Sequence, residues 1–317
     1  MATVIGIGEA MVRLAPAAGE TLESAAAFTV QVGGAEANVC VALARLGVAT
    51  AWISRLPANP FGRRIADAVR AAGVDADGIV WASDGSAGVM FLQPGAAPRT
   101  GEIFYYRRQS AFASIDPDAV GWSRLDGARV VHLTGITPAL GDRPRDLVVR
   151  AIAEARARQL LVSFDVNYRA TLWSPSAARE TLGPLLNGLD IVLVNERDAR
   201  GVFEMRGEPD AVARALRDRL RCRVLVLTCG ESGAVAADAE TVVRQPAVRA
   251  EVVDRVGRGD AFAAGFLYGY LARGTGNGLR YGAALAALKQ TYSGDFCRAT
   301  LRDVEAVLRG DDHGLRR

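Results

Sequence analysis

The residues whose types and spacing most suggest chemistry run from Asp254 to Phe262, Asp254-Arg255-Val256-Gly257-Arg258-Gly259-Asp260-Ala261-Phe262. Two glycines flank one residue, an aspartate follows, and a long helical pattern begins. Glycines let the backbone turn so that successive N–H groups converge, and a helix N-terminus adds partial positive charge. Together they form a hole for an anion such as a phosphate. A carboxylate at a helix start commonly serves as a cap. Beside a bound phosphate, Asp260 could instead take a proton from an attacking hydroxyl. A second glycine pair, Gly33-Gly34, also precedes a helix, with Asn38 in its first turns. A tight turn is the plain alternative there.

Such residues need a scaffold, and the apolar patterning describes one. Thr3 to Gly8 reads as a buried strand, Ala35 to Leu46 as a helix stopped by Gly47, Ala49 to Ser54 as a strand, and Pro60 to about Gly73 as a helix. Gly78–Trp81, Ala87–Gln93 and Glu102–Arg107 are short strand-like runs with no long helix between them, which suggests antiparallel pairing. From Val130 onward, strands alternate with helices. The runs Val130–Thr134, Leu160–Asp165, Ile191–Asn195 and Val224–Thr228 are nearly all apolar and end in a polar residue. That rhythm predicts an α/β fold with a mostly parallel sheet flanked by helices. Ligands bind beyond the carboxyl ends of such strands, so Asp165, Asn195 and Thr228 are site candidates by position. Helices are expected at about Gly259–Arg273, Gly278–Tyr292 and Leu301–Leu308, with a frayed tail from Asp311 to Arg317. No repeat or low-complexity linker divides the 317 residues, so one domain is expected.

Composition sets the bounds. Hydrophobic residues make up 50% and charged residues 23%, with a net charge of +3, as in an ordinary globular chain. Lys289 is the only lysine, and the arginines are scattered, so no nucleic-acid groove is suggested. Cys40, Cys222, Cys229 and Cys297 form no C-x-x-C pair, and His132 and His313 are not near them, which argues against zinc and fits a reducing compartment. No basic, apolar leader opens the sequence, and no apolar run approaches the roughly 20 residues that span a bilayer. A cytoplasmic protein with no membrane association is expected.

The whole chain resembles the ribokinase-like carbohydrate kinases of the PfkB family. One signature is Gly33-Gly34-Ala35-Glu36-Ala37-Asn38 and its helix; the other is Asp254 to Gly265, matching Asp-x-x-Gly-x-Gly-Asp-x-Phe-x-x-Gly. The resemblance implies a ribokinase-like, Rossmann-like fold with a small β-sheet lid, its strands within about 10–34 and 86–110. It implies ATP and Mg²⁺, Asp260 as general base, and the amides of Gly257, Arg258, Gly259 and Asp260 as the anion hole. Arg258 stands where relatives often carry Ala; its side chain either points to solvent or touches phosphate or substrate. Thr228, Gly230, Glu231 and Gly233 resemble a nucleotide-binding loop, although a hairpin turn would use the same residues. Asn195 and Asp198 stand where relatives have Asn-x-x-Glu, a motif linked to Mg²⁺ and phosphate. Asp198 would reach the metal through water, while helix capping is the plain role for Asn195. Lids in this family often pair, so a homodimer through the lid is expected.

Within the family the chain is most similar to 2-keto-3-deoxygluconate kinases, through Gly8–Leu14, Phe104–Arg107, Asp165–Arg169 and Ala287–Phe296. That likeness implies a sugar-acid substrate, phosphorylated at a primary hydroxyl to its 6-phosphate. Arg107 and Arg169 would hold the carboxylate, Arg being suited to planar bidentate recognition. Tyr105 would bind sugar oxygens, Phe91 would line the pocket, and Asp295 would hold a hydroxyl. Gly34 would let the substrate approach the backbone, Ile136 would offer a main-chain contact, and Asn38 belongs to the same site. Plain alternatives are an exposed strand residue for Arg107 and an ion pair with an acid for Arg169. A neutral-sugar kinase and a non-catalytic sugar-binding regulator are the competing functions. A dinucleotide oxidoreductase is disfavoured, because Gly6-Ile7-Gly8-Glu9-Ala10-Met11 lacks the third glycine.

Overall fold

The computed structural model describes residues 1–95 and 98–310; the tail expected to fray lies outside them. Among the described residues, strands form a nine-stranded and a four-stranded sheet. Third from one edge of the large sheet lies β1 (Val4–Ile7), a run buried along its whole length. It pairs on one side with β4 (Thr50–Pro57), which carries β5 (Asp75–Ala82) at the edge. On the other side follow β8 (Val130–Thr134), β9 (Leu161–Asp165), β10 (Ile191–Asn195) and β11 (Val224–Thr228). All these pairs are parallel; β12 (Ala234–Ala237) and β13 (Val242–Gln245) then extend the sheet antiparallel.

Helices cover both faces, which is why the parallel strands can be apolar throughout. Ile5, Val131 and Leu133 pack toward α3 (Asp142–Ala157), α4 (Pro175–Leu186) and α6 (Pro209–Leu220), against Leu147, Leu182 and Leu216. Their neighbours Val4, Val130, Ile191 and Val226 face the other way. They meet α1 (Ala35–Arg45), α7 (Arg258–Arg273), α8 (Thr275–Gln290) and α9 (Leu301–Arg309) through residues such as Leu43, Phe266, Leu285 and Val304. Burying each such side chain stabilises the fold by about 1.5–3 kcal/mol before chain entropy is counted.

The run Gly78–Trp81, grouped by sequence with the antiparallel segments after it, belongs to β5 and lies parallel to β4. The intervening α2 (Pro60–Ala71) is the reason: a parallel pair needs a crossover, and this helix supplies it. The small sheet holds β2 (Met11–Ala15), β3 (Thr29–Gly33), β6 (Gly88–Gln93) and β7 (Glu102–Tyr106), in the order β3-β2-β6-β7. Its β2–β3 and β6–β7 pairs are antiparallel, while β2 and β6 are parallel. A third apolar cluster seats this sheet on the body: Val12 and Val32 pack with Ala37 and Val41 of α1, Trp52 of β4, and Ile65 and Val69 of α2.

Candidate active site

β8, β9, β10 and β11 end together at Thr134, Asp165, Asn195 and Thr228. Beyond those ends opens a cleft of about 1500 Å³. The small sheet walls it with Met11, Met90, Ile103, Tyr105 and Arg107, and the loop before α7 lines it with Gly257, Arg258, Gly259 and Asp260. The loop turns at Gly257, whose φ of +81° favours glycine. A Cβ there would also strike the Asp295 carbonyl. Of the four amides expected to face an anion, that of Arg258 already donates to the Arg255 carbonyl at 3.3 Å. Gly259 and Asp260 lie in the first helical turn, where N–H groups have no intrahelical acceptor. Arg258 is half-buried along the cleft, with no carboxylate within 4.0 Å of its side chain among the described residues.

Asp260 is the third residue of α7, and its carboxylate accepts a 2.6 Å hydrogen bond from Asn38 Nδ2. Asn38 Oδ1 in turn accepts from the Gly34 N–H at 3.3 Å, so one side chain joins the two glycine motifs. Burial pushes Asp260 up to about 6; the Asn38 bond and Arg169 hold it down, and Asp295 adds to the rise. Gly34 has an extended φ of −178°, and a Cβ there would press on the Glu9 carbonyl and Ala10. Glycine is therefore needed at 34 for close chain packing, quite apart from any ligand.

Further acids gather on the same side. Asp165 is pushed up to about 8, by burial first and then by Asp260 and Asp198. Asp198 is also raised by burial, and its Oδ2 accepts from Asn195 Nδ2 (2.8 Å) and the Tyr168 N–H (3.0 Å). Asn195 Oδ1 accepts from the Asp198 N–H at 2.8 Å, capping α5 (Glu196–Gly201). Among the described residues no three metal-ligating side chains converge. Two hard carboxylates do fit Mg²⁺, which usually binds through one or two carboxylates together with phosphate oxygens and water. Thr228, Gly230, Glu231 and Gly233 line the far end of the cleft. Their loop is also a hairpin connection, since β11 and β12 pair antiparallel across it.

The two arginines differ. Arg169 is half-buried, lines the cleft and, among the described residues, has no carboxylate within 4.0 Å; it donates a hydrogen bond to the Tyr168 carbonyl at 3.4 Å. Arg107 is buried rather than exposed, and its Nε donates to Glu9 Oε2 at 2.7 Å. Its charge already has a partner, 98 positions away along the chain. Tyr105 lines the cleft with its ring centroid 5.8 Å from Arg107 Cζ. Asp295 lines it too, but is buried and bonded to Arg13 at 2.6 Å. Ile136 borders the cleft with both main-chain groups engaged, its N–H by Thr134 Oγ1 (3.2 Å) and its carbonyl by the Ala139 N–H (3.1 Å).

Phe91 is a correction: it does not line the cleft. Strand side chains alternate, so Met90 faces inward and Phe91 outward, edge-on to Phe28 (6.1 Å) and Tyr106 (5.7 Å). Three charged residues near the site were not singled out from sequence: Glu9, Arg13 and Glu36. Glu36 is fully buried under the cleft, accepts from Thr134 and Thr137 at 2.8 and 2.9 Å, and is pushed up to about 7 by burial. Its position inside the Gly-Gly-Ala-Glu-Ala-Asn signature was the available signal.

A carboxylate at a helix start, beside free amides and at the carboxyl ends of parallel strands, is the equipment of an enzyme that moves a phosphoryl group onto a hydroxyl. The chain belongs to the pfkB family of carbohydrate kinases, whose model matches residues 1–297. It is 38% identical over 317 residues to the 2-dehydro-3-deoxygalactonokinase of Haloferax volcanii, covering 100% of this chain and 99% of that protein. It is 32% identical over 275 residues to the 2-dehydro-3-deoxygluconokinase of Thermoproteus tenax, covering 86% and 83%. The crystal structure of 2-dehydro-3-deoxygluconokinase from Thermotoga maritima superimposes with a TM-score of 0.93 at 30% identity, over 98% of each chain. The ribokinase-like fold and carbohydrate kinase activity expected from the two signatures agree with these findings.

Proposed function

We propose that this kinase transfers the γ-phosphoryl group of ATP to the primary hydroxyl of 2-keto-3-deoxygluconate, giving the 6-phosphate and ADP. The observation that carries this reading is the pairing of Asp260, held by Asn38 beside the α7 amides, with Arg169, a cation in the same cleft with no carboxylate within 4.0 Å among the described residues. Asp260 takes the hydroxyl proton as the sugar oxygen attacks the γ-phosphorus. The new O–P bond forms as the bond to the β-phosphate oxygen breaks, and the Gly259 and Asp260 amides stabilise the charge on the migrating group. General-base assistance of this kind contributes about 10²- to 10⁴-fold. Arg169 takes the substrate carboxylate; Arg107, neutralised by Glu9, orients Tyr105 instead. Asp295, Asn38 and Gly34 complete the sugar pocket.

ATP as the phosphoryl donor is supported by the ATP complex of a sugar kinase from Pyrococcus horikoshii, and the cleft-lining loop of Thr228, Gly230, Glu231 and Gly233 is the place proposed for it here. Mg²⁺, bound near Asp198 and Asp165 through water, would neutralise the phosphate charge. The small sheet acts as the lid of a single kinase domain. Its outer face, with Val30 and Phe104 each 41% exposed and Tyr106 66% exposed, supports pairing of two chains through it. The four free cysteines are in keeping with a cytoplasmic enzyme.

The galacto-configured acid is the second reading, favoured by the Haloferax volcanii relative. An ADP-release assay on both keto acids, fructose and ribose tests the assignment. Turnover of the neutral sugars at a kcat/KM equal to or above that of both acids would remove it.

A further inference from the structure

Arg13, on β2, is 3% exposed and does not line the cleft. Its Nη1 donates to Asp295 Oδ1 and its Nη2 to Asp254 Oδ2, each at 2.6 Å. Both acceptors sit at strategic points. Asp254 opens the anion loop: its Oδ1 accepts the Val256 N–H and its Oδ2 the Gly294 N–H, each at 3.0 Å. Asp295 lines the cleft, while its carbonyl packs against the turn at Gly257. From beneath, Lys289 Nζ donates to the carbonyls of Asp254 (3.2 Å) and Tyr292 (3.4 Å). One guanidinium on the small sheet thus grips both segments that shape the start of α7.

We infer that Arg13 is a positioning residue, which seats the small sheet on the anion loop and holds Asp295 and Asp254 in the geometry phosphoryl transfer requires. The inference rests on the reading of that loop and cleft given above, but not on the identity of the sugar. Neutral groups at 254 and 295 could pack without a cation. Two acids this close cannot, because a buried charge that loses its partner either protonates or moves. Movement of Asp254 shifts the Val256 amide and the Gly257 turn; movement of Asp295 shifts a wall of the sugar pocket. The charged groups around Asp295 are Arg13 on β2, Asp254 in the loop, Lys289 on α8 and Asp260 on α7. Burial raises Asp295; Arg13, by charge and by hydrogen bond, opposes that rise first, and Lys289 opposes it less.

Arg13→Met and Arg13→Lys test this, assayed on whichever sugar the wild type phosphorylates best. Arg13→Met is expected to lose about 100-fold in kcat, the scale of a ~1 Å misplacement. Its calorimetric Kd for ATP should stay within about threefold, and the acid limb of kcat/KM should move to higher pH as Asp295 loses its cation. Arg13→Lys can reach one acid but not both, so it should recover thermal stability more fully than kcat. Either variant, folded by near-ultraviolet circular dichroism, with wild-type kcat and an unmoved acid limb overturns the inference, even if its Tm falls. If Arg13→Met does not fold, the same readings on Arg13→Lys decide the matter. A wild type that prefers a neutral sugar overturns the proposed substrate alone, and the Arg13 comparison proceeds on that sugar.

Discussion

Replacing Asp260 by Asn should abolish turnover and at the same time stabilise the protein. Asp260 is raised from an ordinary 3.8 to about 6, chiefly by burial, so the fold works against its charge. A rise of about two units corresponds to about 3 kcal/mol at full value, and to about 1–3 kcal/mol once partial solvent access is allowed for. Asn removes the charge and keeps an oxygen to accept from Asn38. For a chain of this length that gain raises Tm by about 2–5 °C. The pH dependence fixes the sign. Below about pH 4 the carboxyl is protonated in folded and unfolded chains alike, and the two proteins should melt together. As pH rises from about 4 to about 6 the unfolded chain ionises first, the wild type loses stability relative to the variant, and the gap is constant above. Differential scanning calorimetry from pH 4 to 8, with the coupled ADP assay alongside, measures both effects. An Asp260→Asn protein that melts at or below the wild type at pH 8, or that keeps more than about a tenth of its turnover, refutes the reasoning.

Three further outcomes follow from the same geometry. Wild-type kcat/KM should fall about tenfold per pH unit below roughly pH 6, because Asp260 must be ionised to accept the proton; a profile flat from pH 7 to 5 contradicts that role. Arg169→Met should raise KM for the keto acid about 10- to 100-fold, the loss of a charged hydrogen bond, while leaving neutral sugars nearly unaffected; an equal effect on both classes removes the carboxylate contact. Phe91→Ala should change KM for sugar and ATP less than about twofold, since the ring faces away from the cleft, yet weaken self-association measured by light scattering; a large KM effect would place the ring in the pocket after all.

Much of the fold could be read directly from the chain. Buried parallel strands are apolar along their whole length, so Val130–Thr134, Ile191–Asn195 and Val224–Thr228 were found with their ends intact. The strand pattern of Gly78–Trp81 does not state its partner, so it suggests antiparallel pairing where β5 lies parallel to β4; the α2 crossover before it is what decides. α7 begins at Arg258, one residue before the expected start, with Gly257 as its cap. The glycine loop was legible because its chemistry is local, a turn, a helix start and an acid within seven consecutive residues of Asp254–Asp260.

What the amino-acid order determined by itself is thus the set of short-range devices: the turn at Gly257, the acid at 260, and the apolar periods that build the layers. The folded arrangement alone decided which charges meet. Arg13 finds Asp295 across 282 positions and Asp254 across 241, and Arg107 finds Glu9 across 98. It also decided that Met90, not Phe91, turns to the cleft, since alternation gives two faces without saying which one is wet. Local geometry is encoded within a few residues, whereas the pairing of distant charges depends on how whole sheets dock, and no spacing along the chain records that.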